Sequence, residues 1–168
     1  MRSILLSMVY DGSDIGPGYM NNSALGVVAD SISGKLPKLL VVDDDITDLE
    51  LAVLGLERQG FRVKTHHIRG DEDLTTLTAR VADKGYALIL SDTIVGNHYG
   101  PDHVAKAVQS SGVDVPVVGW SGTPNSVHET NWKQADAVDF FQKPIGLAAY
   151  RPLAEKLKTH IGYPLSRN

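Results

Sequence analysis

The sequence predicts an α/β protein: a doubly wound, five-stranded parallel sheet with helices on both faces. Three observations carry this. Short, nearly continuous apolar runs recur at Lys38–Val42, Tyr86–Asp92 and Val115–Trp120, and runs of that length suit strands buried on both sides. Between them lie segments whose apolar residues recur at helical spacing. The two kinds alternate with short connections, which demands a mostly parallel sheet with right-handed crossovers.

The elements follow in order from Pro37. Lys38–Val42 is a strand that runs into Asp43, Asp44 and Asp45. Thr47–Gln59 is a helix with Leu49, Ala52, Val53 and Leu56 on one face; Thr47 and Glu50 form a capping box and Gly60 supplies the stop. Phe61–His66 is the second strand. Asp71–Lys84 is an amphipathic helix with Leu74, Leu77, Thr78 and Val81 inward, closed by Gly85. The central strand, Tyr86–Asp92, ends abruptly in a carboxylate. After a loop through Gly100 and Pro101 come the helix Asp102–Ser110, the strand Val115–Trp120 and the helix Ser126–Asp136, with a second capping box in Ser126 and Glu129. Val138–Gln142 is the fifth strand. Leu147–Ile161 is the last helix, with Tyr150, Leu153, Ala154, Leu157 and Ile161 on one stripe.

A chain of 168 residues supports one domain with a sizeable core. Residues 1–36, rich in Gly, Ser and Asn, are expected to form an N-terminal extension or linker, 37–162 the domain, and 163–168 a short tail. The net charge of −4 leaves no electrostatic footprint for nucleic acid, so no direct nucleic-acid contact is expected. There is no cysteine, which excludes disulfides, thiol catalysis and cysteine metal sites. No apolar stretch approaches the roughly 20 residues that span a bilayer, and Ile4–Tyr10 lacks the flanks of a signal peptide. A cytoplasmic protein without membrane contact is the expectation.

In such a sheet all strand carboxyl ends open on one edge, where ligands bind. Four of the five ends carry residues suited to phosphoryl chemistry: Asp43 and Asp44, then Asp92, then Ser121, then Lys143 just past the fifth strand. Two carboxylates about 4 Å apart repel by roughly 4 kcal/mol at an effective dielectric of 20. Raised pKa values or a bound hard cation relieve this, and oxygen ligands with room for water favour Mg2+. A lysine and a hydroxyl facing the same point suit the oxygens of a phosphoryl group.

Across about Leu36 to Ile161 the chain resembles the receiver domain of two-component response regulators, a CheY-like, flavodoxin-like fold. The matching stretches are Leu39-Leu40-Val41-Val42-Asp43-Asp44-Asp45, Ile89-Leu90-Ser91-Asp92, Val115-Pro116-Val117-Val118-Gly119-Trp120-Ser121-Gly122 and Phe140-Phe141-Gln142-Lys143-Pro144. The resemblance implies that Asp92 accepts a phosphoryl group from a histidine kinase or histidine phosphotransfer protein. It implies Mg2+ held by Asp43 (through water), Asp44, Asp92 and the backbone carbonyl of Ile94. Ser121 and Phe140 would be the switch residues, Lys143 would pair with the phosphoryl group, and a cis bond before Pro144 would aim that lysine.

Three departures from the family pattern matter, two of them at positions linked to lifetime, Ile94 and Thr123. Ile94 and Thr123 stand two residues after Asp92 and Ser121, and Gly96 replaces the usual proline of the following loop. Because Ile94 cannot hydrogen-bond a hydrolytic water, slow self-dephosphorylation is expected. With seven residues beyond Ile161, output is expected to be a protein contact through the fourth helix, fifth strand and last helix, with a possible homodimer through the last helix. The alternatives are a degenerate receiver, or a piece of a longer regulator, acting as a binding module. A further alternative is a haloacid-dehalogenase-like phosphatase reading Asp43-Asp44-Asp45-Ile46-Thr47 as DxDxT, with Asp43 the nucleophile; it lacks an acidic pair downstream of Lys143. The histidines, among them His66, His67, His98 and His103, are expected in solvated or loop positions, and Trp120 and Trp132 in packing ones.

Overall fold

The computed structural model of the protein describes residues 35–70, 74–83 and 85–163. The expected N-terminal extension and tail lie outside the described residues, apart from their inner ends. The expected alternation is present: β1 (Lys38–Asp43), α1 (Ile46–Glu57), β2 (Arg62–His67), α2 (Leu74–Ala82), β3 (Leu88–Asp92), α3 (Gly100–Ser111), β6 (Val117–Ser121), α4 (Ser126–Gln134), β7 (Asp139–Gln142) and α5 (Tyr150–His160). Two-residue strands β4 (Ile94–Val95) and β5 (His98–Tyr99) form a small antiparallel hairpin between β3 and α3.

The main sheet has five strands in the order β2-β1-β3-β6-β7, and every pairing is parallel. In β1 every residue after Lys38 is buried, and β6 is buried throughout, as expected of strands covered on both faces. One core cluster joins Leu39, Val41, Leu88, Leu90, Val118 and Trp120 to Leu49, Ala52 and Leu56 of α1 and to Tyr150, Leu153, Ala154 and Leu157 of α5. The other joins Leu40, Val42, Ile89 and Val117 to Leu77 and Val81 of α2, Val104 and Ala107 of α3, and Trp132 of α4. Alternate residues of each strand thus face opposite helical layers.

The structure corrects several local expectations. Helix α1 is capped by Asp45, whose side chain accepts from the backbone N–H groups of Thr47 and Asp48, so the Thr47–Glu50 box is not the cap. Helix α4 is capped by Asn125, which accepts from His128 N–H at 2.9 Å, in place of the Ser126–Glu129 box. In both cases an Asx residue just upstream wins because its short side chain reaches the N2 or N3 amide directly. The last helix opens with a 3-10 turn at Leu147–Ala149, and α3 starts at Gly100 with Pro101 in its first turn. The loop containing Gly96 is a hairpin turn in which Gly96 adopts φ +61°, a conformation open to glycine and closed to proline. His98 and His103 stack at 4.0 Å between ring centroids, and His103 is buried, not solvated. Trp120 and Trp132 are buried as expected. No helix among the described residues is long and apolar enough to cross a membrane.

Gly119, in the middle of β6, lies under the indole of Trp132, and a Cβ there would overlap the ring. Gly119→Ala is therefore expected to destabilise the protein by about 1–3 kcal/mol, through overpacking of a rigid ring against a central strand. Urea unfolding followed by Trp fluorescence checks it, with an unchanged midpoint as the contrary result.

Candidate functional site

Register assembles the site before any side chain is considered. Val42 pairs with Ser91, Asp92 with Trp120, and Ser121 with Gln142. The carboxyl ends of β1, β3 and β6, and the residue after β7, therefore lie side by side. Asp43, Asp92, Ser121 and Lys143 are brought together by the backbone alone. The bond from Lys143 N–H to the carbonyl of Ser121 (2.9 Å) extends the β6–β7 ladder by one residue and aims the lysine back over the strand ends. There is no cis peptide bond among the described residues, so the link before Pro144 is trans and this ladder bond does the aiming.

Lys143 Nζ is the hub. It lies 2.9 Å from Asp43 Oδ2, 3.1 Å from Asp92 Oδ2 and 2.7 Å from Asp48 Oδ2. Its flank is covered by the Trp120 ring, 5.6 Å from the ammonium. Asp43 is fully buried; its Oδ1 accepts from Asp45 N–H at 3.1 Å, while its Oδ2 meets Lys143 as an ion contact without a hydrogen-bond partner of its own. Asp92 Oδ1 accepts from Thr93 N–H at 2.7 Å, which leaves Oδ2 facing Lys143.

Burial pushes the Asp43 carboxyl up to about 6, against the opposing pull of Lys143 and the Asp45 amide; the Asp92 charge adds to the rise. Asp92 is raised in the same way, by burial first, with Lys143 working against it. For Lys143 burial favours the neutral amine, yet the carboxylates of Asp48, Asp43 and Asp92 outweigh it and hold the ammonium well above the usual lysine range.

One oxygen from each of Asp43, Asp44 and Asp92 lies within 4.8 Å of the others. Ligands of a six-coordinate Mg2+ at about 2.1 Å stand at most about 4.2 Å apart, so the three fit one ion after a small closure or with one carboxylate bound through water. The all-oxygen donor set agrees with a hard cation.

The remaining predicted residues have clear places. Ser121 ends β6, is buried, and its Oγ accepts from Thr123 N–H at 3.3 Å. Phe140 is half-buried in β7, opposite Gly119 and against the Trp132 side of the core. Ile94 opens β4 with its side chain 49% exposed. Asp45, the second aspartate of the DxDxT reading, is occupied as the α1 cap. Sequence reasoning missed Asp48. It stands in the first turn of α1, off every strand end, and nothing in the chain connects it with a lysine 95 residues away.

Asp43 also sets a pH dependence. A folded-state value near 6 against 3.8 unfolded means that the folded protein holds the extra proton, so stability falls as pH rises from about 4 through 6. The loss above that window is of order 3 kcal/mol. Without divalent cations, Asp43→Asn is expected to unfold at higher urea than the parent at pH 7.5, with the advantage shrinking toward pH 4. A constant difference across that range counts against this assignment.

No protein-family model matches the chain, and no curated protein matches it. Solved structures do. The chain is similar to a CheY-like response regulator receiver domain protein from Methanospirillum hungatei JF-1, at 22% identity and TM-score 0.62, over 76% of this chain and 94% of that one. It is similar to a two-component response regulator from Clostridium difficile, at 18% identity and TM-score 0.62, over 75% and 96%. It is also similar to chemotaxis protein CheY4 of Vibrio cholerae, at 20% identity and TM-score 0.60, over 73% and 98%. The likeness spans 94%, 96% and 98% of those three chains. The chain has the fold of a CheY-like response-regulator receiver domain.

Proposed function

We propose that this protein is a phosphorylatable signalling switch of the response-regulator kind. Its Asp92 accepts a phosphoryl group from the phosphohistidine of a kinase or phosphotransfer protein. The observation that carries the reading is the convergence of Asp92, Asp43 and Asp44 on one point with Lys143, at the carboxyl edge of a receiver fold. Asp92 Oδ2 attacks phosphorus, the P–N bond breaks, the imidazole nitrogen keeps the electron pair and takes a proton, and an acyl phosphate forms. Lys143 pairs with the phosphoryl oxygens, and Ser121 turns toward them while Phe140 follows inward. Mg2+, held by Asp43 (through water), Asp44, Asp92 and the backbone carbonyl of Ile94, would neutralise the crowded carboxylates and the charge on the transferred group.

The phosphatase alternative is disfavoured by Asp45, whose carboxylate is engaged by two backbone amides of α1. Output runs through a protein contact on α4, β7 and α5. The exposed side of α5 also serves a homodimer in this reading. Exposed Ile145, 89% accessible beyond β7, supports a docking role for that surface.

Incubation with acetyl phosphate and Mg2+ is expected to add one phosphoryl mass to the intact protein and none to Asp92→Asn. No gain with any phosphodonor, small or protein, moves the reading to a binding module. Half-exposed Ile94 offers no hydrogen bond to an attacking water, so decay of the acyl phosphate is slow. Ile94→Asn is expected to shorten its lifetime about tenfold, followed by loss of the phosphoryl mass with time; an equal or longer lifetime is the contrary result.

A further inference from the structure

The segment that follows Asp92 is tied to α4 by two side chains. The Trp132 indole N–H donates to Thr93 Oγ1 at 3.1 Å, and that hydroxyl donates to the Trp120 carbonyl at 3.0 Å. Thr93 and Trp132 are each 1% exposed, so neither bond has water as a substitute. One residue away on α4, Asn131 Nδ2 donates to the Tyr99 hydroxyl at 2.6 Å. Trp132 itself is seated on Gly119 of β6.

Thr93 is also the residue that orients Asp92. Its N–H reaches Asp92 Oδ1 at 2.7 Å and the Trp120 carbonyl at 3.1 Å, and its carbonyl accepts from Gly100 N–H at 2.8 Å. Rotation of a carboxylate about its last torsion is soft, so an outside donor must choose which oxygen faces the lysine. The Thr93 amide makes that choice. The Thr93 side chain holds the amide in place, and its two hydrogen bonds are to Trp132 and Trp120. Trp120 differs: its indole N–H is buried without a hydrogen-bond partner, so its ring packs and does not tether.

We infer that Trp132 is a positioning residue: through Thr93 it fixes the oxygen of Asp92 presented to Lys143 and joins the seat of α4 to that carboxylate. The inference rests on the reading of Asp92 as phosphoacceptor. Moving α4 off its seat leaves a buried indole N–H unpaired and takes from the Thr93 hydroxyl the donor it accepts from, so carboxylate orientation and helix position change together. The link runs through hydrogen bonds to Thr93 and uses neither Ser121 nor Phe140.

The test is a double-variant cycle in the full chain, read as the rate of acyl phosphate formation from acetyl phosphate with Mg2+. Thr93→Val and Trp132→Phe are each expected to slow it about three- to tenfold, and the double variant no further. Thr93→Ser, which keeps the hydroxyl, is expected to match the parent. In 15N-resolved spectra the Trp132 indole proton is expected to shift upfield in Thr93→Val and to hold its position in Thr93→Ser. Labelling of the parent with multiplying effects in the double variant, or with Thr93→Val at the parental rate, overturns the inference and leaves the phosphoacceptor reading intact. Absence of labelling in the parent overturns both. Thr93→Val keeps the side-chain volume and carries the test if Trp132→Phe fails to fold.

Discussion

One largely covered ammonium organises this molecule. Lys143 stands against three carboxylates, and the sheet is ordered so that it can: the acids arrive on β1 and β3, the lysine one residue beyond β7, and Asp48 from the first turn of α1. Buried charge is tolerated only when compensated, and an unpaired member of such a group costs several kcal/mol. Four nearby carboxylates, counting Asp44, against one ammonium leave an excess of negative charge that the protein alone does not neutralise. Burial first, with a smaller addition from the neighbouring carboxylates, keeps Asp43 and Asp92 raised, and the clustered acids suit the strand ends to a cation.

The helices on both faces report to the same point. Helix α1 contributes Asp48 and begins at Asp45, whose own amide bonds Asp43. Helix α5 contributes Tyr150 from the neighbouring core, a phenol pushed up to about 12 by burial and by the Asp48 charge, so it stays neutral beneath the pocket. Helix α4 reaches the loop after Asp92 through Trp132 and Asn131. The surroundings of Asp92 are thereby tied to two packed layers rather than to one surface.

The fold was legible because its signals are local and repeated. Three of the strands are apolar runs too short for a helix, and four of the five strand ends lead into a site residue, so Asp43, Asp92, Ser121 and Lys143 were all found from the pattern of strand ends. Asp44 came with Asp43. What escaped notice was decided by geometry across the fold or by very short range. Asp48 became part of the site because α1 turns it toward a distant lysine. The choice of Asp45 and Asn125 as caps turned on two residues of register in one case and one in the other, where Thr47 and Ser126 looked equally able. The β4–β5 hairpin is too short for periodicity to register. His103 is covered by packing that no linear pattern announces.

The flanks of the sheet carry a consequence for association. Its two open borders are β2 and β7. Along β2, Arg62 and Lys64 project outward between inward Val63 and half-buried Thr65, while β7 is four residues long and is soon followed by Pro144. Charged side chains, brevity and a nearby proline are the devices that stop a border strand from accepting another chain. Growth of the sheet from molecule to molecule is thus discouraged at both borders. An association that leaves both borders unpaired can form and release without unzipping a single backbone ladder.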